Sequence, residues 1–232
     1  MLEIVYQDAN LVAINKPHDL LVHRSPIAKD AEVFALQLLR EQIGQHVYPV
    51  HRLDRKTGGV LLFALDKETS RQIQKLFAQD QMDKTYQAVV RGYTSDHGEV
   101  DYPLQKDNGK YQEAFTAYRT LARAELPVAM GKHHTSRYSL LEIKPRTGRM
   151  HQIRKHMAHI FHPIIGDRPH GCNKQNRLFK ERWQMTTMLL HACQVQFKHP
   201  IHETEVSIRA DFQKEFLRVI KMMGFPIPAK IK

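Results

Sequence analysis

Residues 51–65 read HRLDRKTGGVLLFAL and carry the clearest structural signal in the chain. The second half of this stretch, Val60–Leu65, is an uninterrupted apolar run, which predicts a strand buried on both faces. A polar loop comes before it and ends in the turn-prone residues Thr57, Gly58 and Gly59. Because the loop leads into a buried strand, we expect it to present its side chains to a cleft.

The periodicity of apolar residues on both sides of this stretch predicts an α+β fold. Two short β-type runs in residues 2–15 form a hairpin, and more strands are expected near residues 85–91, 113–122, 136–144, 185–197 and 204–209. Helices are predicted from Asp30, as the cap, to Gly44, and over residues 67–80, 149–160 and 212–223. Because strands and helices intermix without regular βαβ alternation, we predict a single domain with a largely antiparallel mixed central sheet flanked by helices and loops.

Composition narrows the class of protein. The 232 residues fit one large domain and leave no stretch for a separate N-terminal RNA-binding domain, while residues 226–232 read as a flexible basic tail. Thirty-five Lys and Arg against 24 Asp and Glu give a net charge of +11, which favours a polyanionic partner such as nucleic acid. Two cysteines cannot build a disulfide framework, and no apolar run approaches the roughly 18 residues that a membrane span needs. We therefore expect a soluble, cytoplasmic monomer that has no contact with a membrane.

Asp54 is the most unusual acid in the sequence. It lies among Arg52, Arg55 and Lys56 and follows His51. Nearby positive charge favours the ionised carboxylate, as a reactive acid requires. The same charges also fit a surface ion-pair cluster beside a turn, and the charge pattern alone leaves both interpretations open.

Residues 144–166 form a second unusual segment, because they contain no acid. Thr147 and Gly148 precede the predicted helix, so we expect its first backbone N–H groups, with Arg146 and Arg149, to hold a phosphate. Arg154 flanks the apolar stripe of this helix and is expected to be half-buried and to reach a carboxylate. That stripe comprises Met150, Ile153, Met157 and Ile160, and the predicted solvent face comprises Gln152, Lys155, His156 and His159.

Two further segments contain weaker candidates. Lys84–Gly92 alternates like a strand, with Tyr86, Ala88 and Val90 on one face. Most strand tyrosines only pack against the core, although beside a nucleotide site the ring becomes a stacking platform. Lys16, in the loop Asn15-Lys16-Pro17, is a possible phosphate contact.

Several other chemistries are disfavoured. The histidines of residues 151–162 lack an HExxH motif and an accompanying acid, and their basic neighbours would repel a metal dication. Gly131-Lys132 is not a P-loop, because Leu126 stands where the first glycine is needed and His133 where Ser or Thr is needed. We therefore expect neither a metal nor a nucleotide cofactor.

Three segments, HRLDRKTGG, KTYQAVVRG and KPRTGRMHQIRKHMAHIFHPIIGD, occur in this order, with NKPHDLLVH before them and LLHACQVQFKHP after them. Together they resemble the RluA-type pseudouridine synthases over nearly the whole chain. The resemblance implies that Asp54 is the catalytic residue, that Tyr86 stacks on the target base and that Arg154 pairs with Asp54. One departure is Gly58, where that family usually has a serine.

The resemblance also implies a function: isomerisation of a specific uridine to pseudouridine in RNA, without a cofactor. The compact size is most similar to the tRNA-directed branch of the family, which implies a uridine in or near the T-stem of tRNA. Expected RNA contacts are Lys16, Arg52, Arg55, Lys84, Arg146, Arg149, His151 and Lys155. The alternatives are the same chemistry on ribosomal RNA and a non-catalytic RNA-binding module of the same fold.

Overall fold

The computed structural model describes residues 1–23 and 33–227, which form two compact units. Unit 1 contains Met1–Lys84 and Ala192–Gln213, and unit 2 contains Thr85–His191 and the segment that begins at Lys214. The family-typical segment with Asp54 therefore belongs to unit 1, and Tyr86 and Arg154 belong to unit 2.

The strands are β1 Glu3–Gln7, β2 Leu11–Lys16, β3 Tyr48–Pro49, β4 Gly58–Ala64, β5 Asp83–Arg91, β6 His97–Asp101, β7 Leu104–Gln105, β8 Tyr111–Gln112, β9 Phe115–Leu126, β10 Ser136–Pro145, β11 Leu190–Lys198 and β12 Glu205–Arg209. The helices are α1 Ala35–Ile43, α2 Lys67–Ala78, α3 Gln152–His159, α4 Asn173–Trp183 and α5 Lys214–Met222.

Unit 1 is built around β4, all seven residues of which are buried. Strand β2 pairs antiparallel with β1 on one side and with β4 on the other, and β11 pairs antiparallel with β12. Leu62 and Ile73 belong to one apolar cluster, so α2 packs against the face of the sheet to which Leu62 contributes. A short loop after β3 then leads back into β4 and carries Asp54.

Unit 2 is built around β10, which pairs antiparallel with β5 and with β9, while β9 also pairs with β6. Its apolar cluster includes Ala88 and Val90 of β5 and Ile153 and Met157 of α3. Helix α3 therefore packs against the same sheet that carries Tyr86, which contacts this cluster.

The predicted fold class is confirmed: both units combine helices with antiparallel strands. The hairpin of residues 2–15, the buried strand at 60 and the helix at 67 are all present. Gly44 ends α1 in the left-handed conformation, with φ of 69°, as the sequence predicted. Asp30, the predicted cap of this helix, and residues 228–232 of the predicted tail lie outside the described residues.

The structure corrects the prediction for the third helix. It begins at Gln152 rather than Arg149, so Met150 lies outside it and is 44% exposed instead of buried. Gln152 and His156, predicted on the solvent face, are buried. Their polar atoms find partners inside the protein, which removes the cost of burying them. None of the described helices has the length and apolarity to span a bilayer.

Candidate active site

The loop of Asp54 leads into β4, which lies against β11 of unit 1. Asp54 is half-buried, its carbonyl accepts a hydrogen bond from the Thr57 N–H at 3.0 Å, and the preceding Leu53 is buried. Gly59 has φ of 110°, and a Cβ there would lie 2.1 Å from the carbonyl oxygen of Ala192. Only glycine fits at this position, the second residue of β4, so the strand that follows the loop has a fixed path.

His51 fixes the beginning of the same loop. Its Nε2 accepts a hydrogen bond from the Leu62 N–H at 3.0 Å, and its ring stacks on Phe77 with 4.7 Å between centroids. Burial and the nearby charge of Lys84 lower the pKa of His51 to about 3. The imidazole is therefore neutral at physiological pH, and a neutral ring nitrogen can accept the amide hydrogen.

Lys16 holds the middle of the loop from inside the protein. Its side chain is fully buried, and its Nζ donates to the carbonyl oxygens of Pro17, Leu20 and Arg55 at 2.9, 2.8 and 3.1 Å. Burial lowers the pKa of Lys16 to about 7, although the negative charge of Asp54 opposes this shift. The structure contradicts the expected phosphate contact, because the ammonium group faces three carbonyls instead of solvent.

The remaining cations of unit 1 differ in exposure. Lys84 is buried, and its expected role as an RNA contact stays a prediction. Arg52 and Arg55 are exposed, and the Arg55 Nε lies 3.1 Å from an Asp19 carboxylate oxygen. Exposed guanidinium groups of this kind can exchange such a partner for phosphate. Arg52 and Arg55 therefore remain predicted RNA contacts.

Gly58 has a neighbour that explains the departure from the family pattern. A Cβ at residue 58 would lie 3.0 Å from His18 Nε2 and 3.2 Å from Gln213 Cγ. The His18 Nδ1–H donates to the Lys56 carbonyl at 2.7 Å, because a carbonyl can only accept. The space that a serine side chain would take is thus filled by His18.

In unit 2, Tyr86 lies near the beginning of β5, opposite Ile143 of β10. Its side chain packs against the apolar cluster and is half-buried. The predicted strand and its alternation are therefore confirmed. A partly exposed ring at the edge of an apolar cluster suits a stacking role as well as a rim position.

Arg154 makes a buried, bidentate ion pair with Asp167. Its Nε and Nη2 each donate to one carboxylate oxygen at 2.8 Å, and the two side chains are 8% and 1% exposed. Arg154 reaches a carboxylate, as expected, but it is buried instead of half-buried, and its partner in unit 2 is Asp167. Its expected pairing with Asp54 stays a prediction.

Sequence reasoning missed Asp167. Its loop is fixed by Asn176, whose Oδ1 accepts from the Gly166 N–H at 2.8 Å and whose Nδ2 donates to the Asp167 carbonyl at 2.6 Å. The signal was available, because Asp167 is the first acid after the acid-free residues 144–166. A buried arginine inside such a run requires a carboxylate, and Asp167 is the first one on its C-terminal side.

Gln152 occupies the beginning of α3, where a phosphate was expected. Its Oε1 accepts from the Arg149 N–H at 3.0 Å and from the Thr147 hydroxyl at 2.6 Å, and its Nε2 donates to the Phe115 carbonyl at 2.9 Å. The side chain of Gln152 therefore caps the Arg149 N–H, and the expected phosphate site at the remaining amides stays a prediction. The side chain of Arg146 is exposed and lies 4.5 Å over the Phe115 ring.

The other predicted cations of unit 2 lie near this helix. Arg149 is half-buried and its Nε donates to the Glu113 carbonyl at 3.0 Å, while Lys155 is half-buried. His151 Nδ1 lies 2.9 Å from His170 Nε2. Arg146, Arg149, His151 and Lys155 therefore lie at or near the surface and remain predicted RNA contacts.

Comparison with known proteins assigns the class. Residues 10–159, more than half of the chain, match the RNA pseudouridylate synthase family, so the chain belongs to this family of isomerases. Its fold agrees: the solved structure of human RNA Pseudouridylate Synthase Domain Containing 4 superposes with a TM-score of 0.74 at 26% identity, covering 98% of this chain and 95% of that one.

Within the family, the chain is similar to tRNA pseudouridine synthase C. It is 47% identical over 237 residues to that protein of Vibrio vulnificus, covering 97% of both chains. It is 49% identical over 220 residues to that of Vibrio parahaemolyticus, covering 90% of this chain and 89% of the relative. The resemblance to RluA-type enzymes drawn from the sequence is thereby confirmed.

Proposed function

We propose that this protein isomerises a uridine in or near the T-stem of tRNA to pseudouridine, with Asp54 as the catalytic carboxylate. The observation that carries the proposal is the loop of Asp54, which is fixed by His51, Lys16 and Gly59. If Asp54 only belonged to a surface ion-pair cluster, its loop would not need to be fixed by these buried contacts. The similarity to tRNA pseudouridine synthase C over 97% of the chain supports tRNA as the substrate.

The reaction exchanges one bond of the base for another. The bond between N1 of uracil and C1′ of ribose breaks, the base turns, and C5 is joined to C1′. The hydrogen on C5 leaves as a proton and N1 gains one, so nothing is oxidised and no group is supplied from outside. An ionised Asp54 either attacks C1′ or removes a ribose proton to give a glycal, and both routes begin from the same carboxylate.

The target uridine must leave its stack before this chemistry, at a cost of a few kcal/mol. Tyr86 offsets part of that cost by stacking on the base. Arg154 supplies a guanidinium group whose orientation Asp167 fixes through two hydrogen bonds of 2.8 Å. Backbone phosphates are bound by the exposed cations Arg52, Arg55 and Arg146.

The substrate is tested with tRNA transcripts that carry tritium on C5 of uridine. The protein should release tritium from tRNA, and chemical mapping should place the new pseudouridine in or near the T-stem. Binding should weaken steeply as salt rises, because phosphate contacts release counterions. Tritium release from ribosomal RNA fragments and none from tRNA would overturn the tRNA assignment and leave the isomerase class intact.

A further inference from the structure

Phe161 occupies a backbone position that normally belongs to glycine. It follows the end of α3 with φ of 64°. Its N–H donates to the Ala158 carbonyl at 3.0 Å, and the next N–H, of His162, donates to the Met157 carbonyl at 2.8 Å. This pair of hydrogen bonds is the Schellman pattern, in which the left-handed residue is usually glycine. A phenylalanine strains the backbone there.

The fold does not compensate for this strain by burying the side chain of Phe161. It is 85% exposed, and apart from Met1 it is the most exposed large apolar side chain of the described residues. The protein therefore bears both a strained backbone and an apolar ring in water at one residue. Strained positions of this kind concentrate at functional sites, so the ring is best explained by a binding partner.

The surroundings of Phe161 indicate what that partner is. The residue lies within the acid-free residues 144–166. Two positions earlier, the exposed His159 stacks on Tyr102 with 3.7 Å between centroids, and Tyr102 is itself 42% exposed. Exposed rings together with a basic segment that lacks acids are an arrangement with which proteins bind unpaired nucleotides.

We propose that Phe161 stacks on an unpaired base of the bound RNA, outside the target nucleotide. The neighbouring His162 bonds to the carbonyl of Arg91 at the far end of β5 from Tyr86. Five residues of strand span about 17 Å, so Phe161 and Tyr86 contact different nucleotides. This inference depends on the proposed function for one point only, the identity of the partner as RNA.

The test compares stability with tRNA affinity in Phe161→Gly. Glycine relieves the strain, so its unfolding midpoint should rise, while the tRNA dissociation constant should increase about tenfold because stacking is lost. Single-turnover conversion at saturating protein should be unchanged. Phe161→Trp should bind like the wild type, and Phe161→Leu should bind like the glycine variant.

Gln184→Gly is the matched control. Gln184 is exposed and ends α4 in the same left-handed conformation, with φ of 54°. Its replacement should raise the unfolding midpoint and leave tRNA affinity unchanged.

Three results would overturn the inference: wild-type affinity in Phe161→Gly, wild-type affinity in Phe161→Leu, or a lower unfolding midpoint together with weaker binding in Phe161→Gly. A wild-type protein that binds tRNA through Phe161 but releases no tritium would instead refute the proposed function and leave the stacking contact standing.

Discussion

Gly58→Ser restores the residue that the family usually carries, yet it should damage this protein. The φ of Gly58 lies outside the left-handed region, so serine meets no backbone strain and the effect is steric. Its Cβ would lie 3.0 Å from His18 Nε2 and 3.2 Å from Gln213 Cγ. Both neighbours are tethered: His18 to the Lys56 carbonyl at 2.7 Å, and Gln213 to Asn15 Oδ1 at 2.7 Å.

Overpacking against tethered groups costs about 1–3 kcal/mol, and we expect a loss of that size in the free energy of unfolding. The companion change is His18→Asn, whose Nδ2 can still donate to the Lys56 carbonyl but which lacks the ring atoms that crowd residue 58. Chemical denaturation of the wild type, both single variants and the double variant gives the coupling energy. We predict that His18→Asn recovers most of the loss. Additive effects, or a Gly58→Ser protein as stable as the wild type, would refute this explanation of the glycine.

Three further predictions concern stability and cofactors. The folded-state pKa of His51 is lowered to about 3 from 6.5, so the free energy of unfolding should fall as pH drops below 6.5, by about 2 kcal/mol at pH 5. His51→Gln should remove this pH dependence. A variant whose free energy of unfolding changes with pH as in the wild type would contradict the prediction. Asp167→Asn should cost about 3–5 kcal/mol in unfolding free energy because it removes the charged, bidentate partner of a buried guanidinium group. Glu142→Gln at a surface ion pair should cost less than about 1 kcal/mol, and equal losses would refute the importance of the buried pair. Tritium release should survive EDTA without ATP, and a specific requirement for a divalent ion would contradict the predicted independence from metals.

The parts of the fold that could be predicted depend on apolar periodicity. The continuous apolar run after Gly59 became a strand buried along its whole length, and the alternation around Tyr86 placed Ala88 and Val90 in one cluster. Such patterns are local, because a strand or helix with the wrong period would expose its apolar residues. Element type was therefore readable where the apolar pattern is clear, whereas helix α4 was not predicted and the strand expected from residue 185 begins at Leu190.

Three of the errors have a common physical origin: they concern buried polar groups. Lys16, Gln152 and His156 all looked like surface residues because burial of an unpaired polar group is costly. Each is buried because the fold supplies its partners, and for His156 these are the Thr116 hydroxyl and the Tyr102 carbonyl, both at 2.9 Å. Partners 40 and 54 residues away cannot be read from a local pattern.

The residues of the candidate site also differ in how far the sequence predicts them. Asp54 and Arg154 stand out in the sequence through charge and position, since a lone acid among cations and an arginine beside an apolar stripe are both unusual. Asp167 does not stand out, because its role depends on a loop whose backbone is fixed by the hydrogen bonds of Asn176 to Gly166 and Asp167. The supports of a reactive group are thus harder to predict than the group itself.

The central claim is that Asp54 is the catalytic carboxylate, and single-turnover tritium release by Asp54→Asn tests it most directly. The change is nearly isosteric and removes an anion from the proposed RNA-binding surface, so folding should persist and tRNA affinity should stay the same or increase. Asp19→Asn is the matched control, because Asp19 is an exposed acid that pairs with Arg55 in the same unit. We predict no tritium release by Asp54→Asn and wild-type release by Asp19→Asn. Appreciable release by a folded Asp54→Asn protein would contradict the claim.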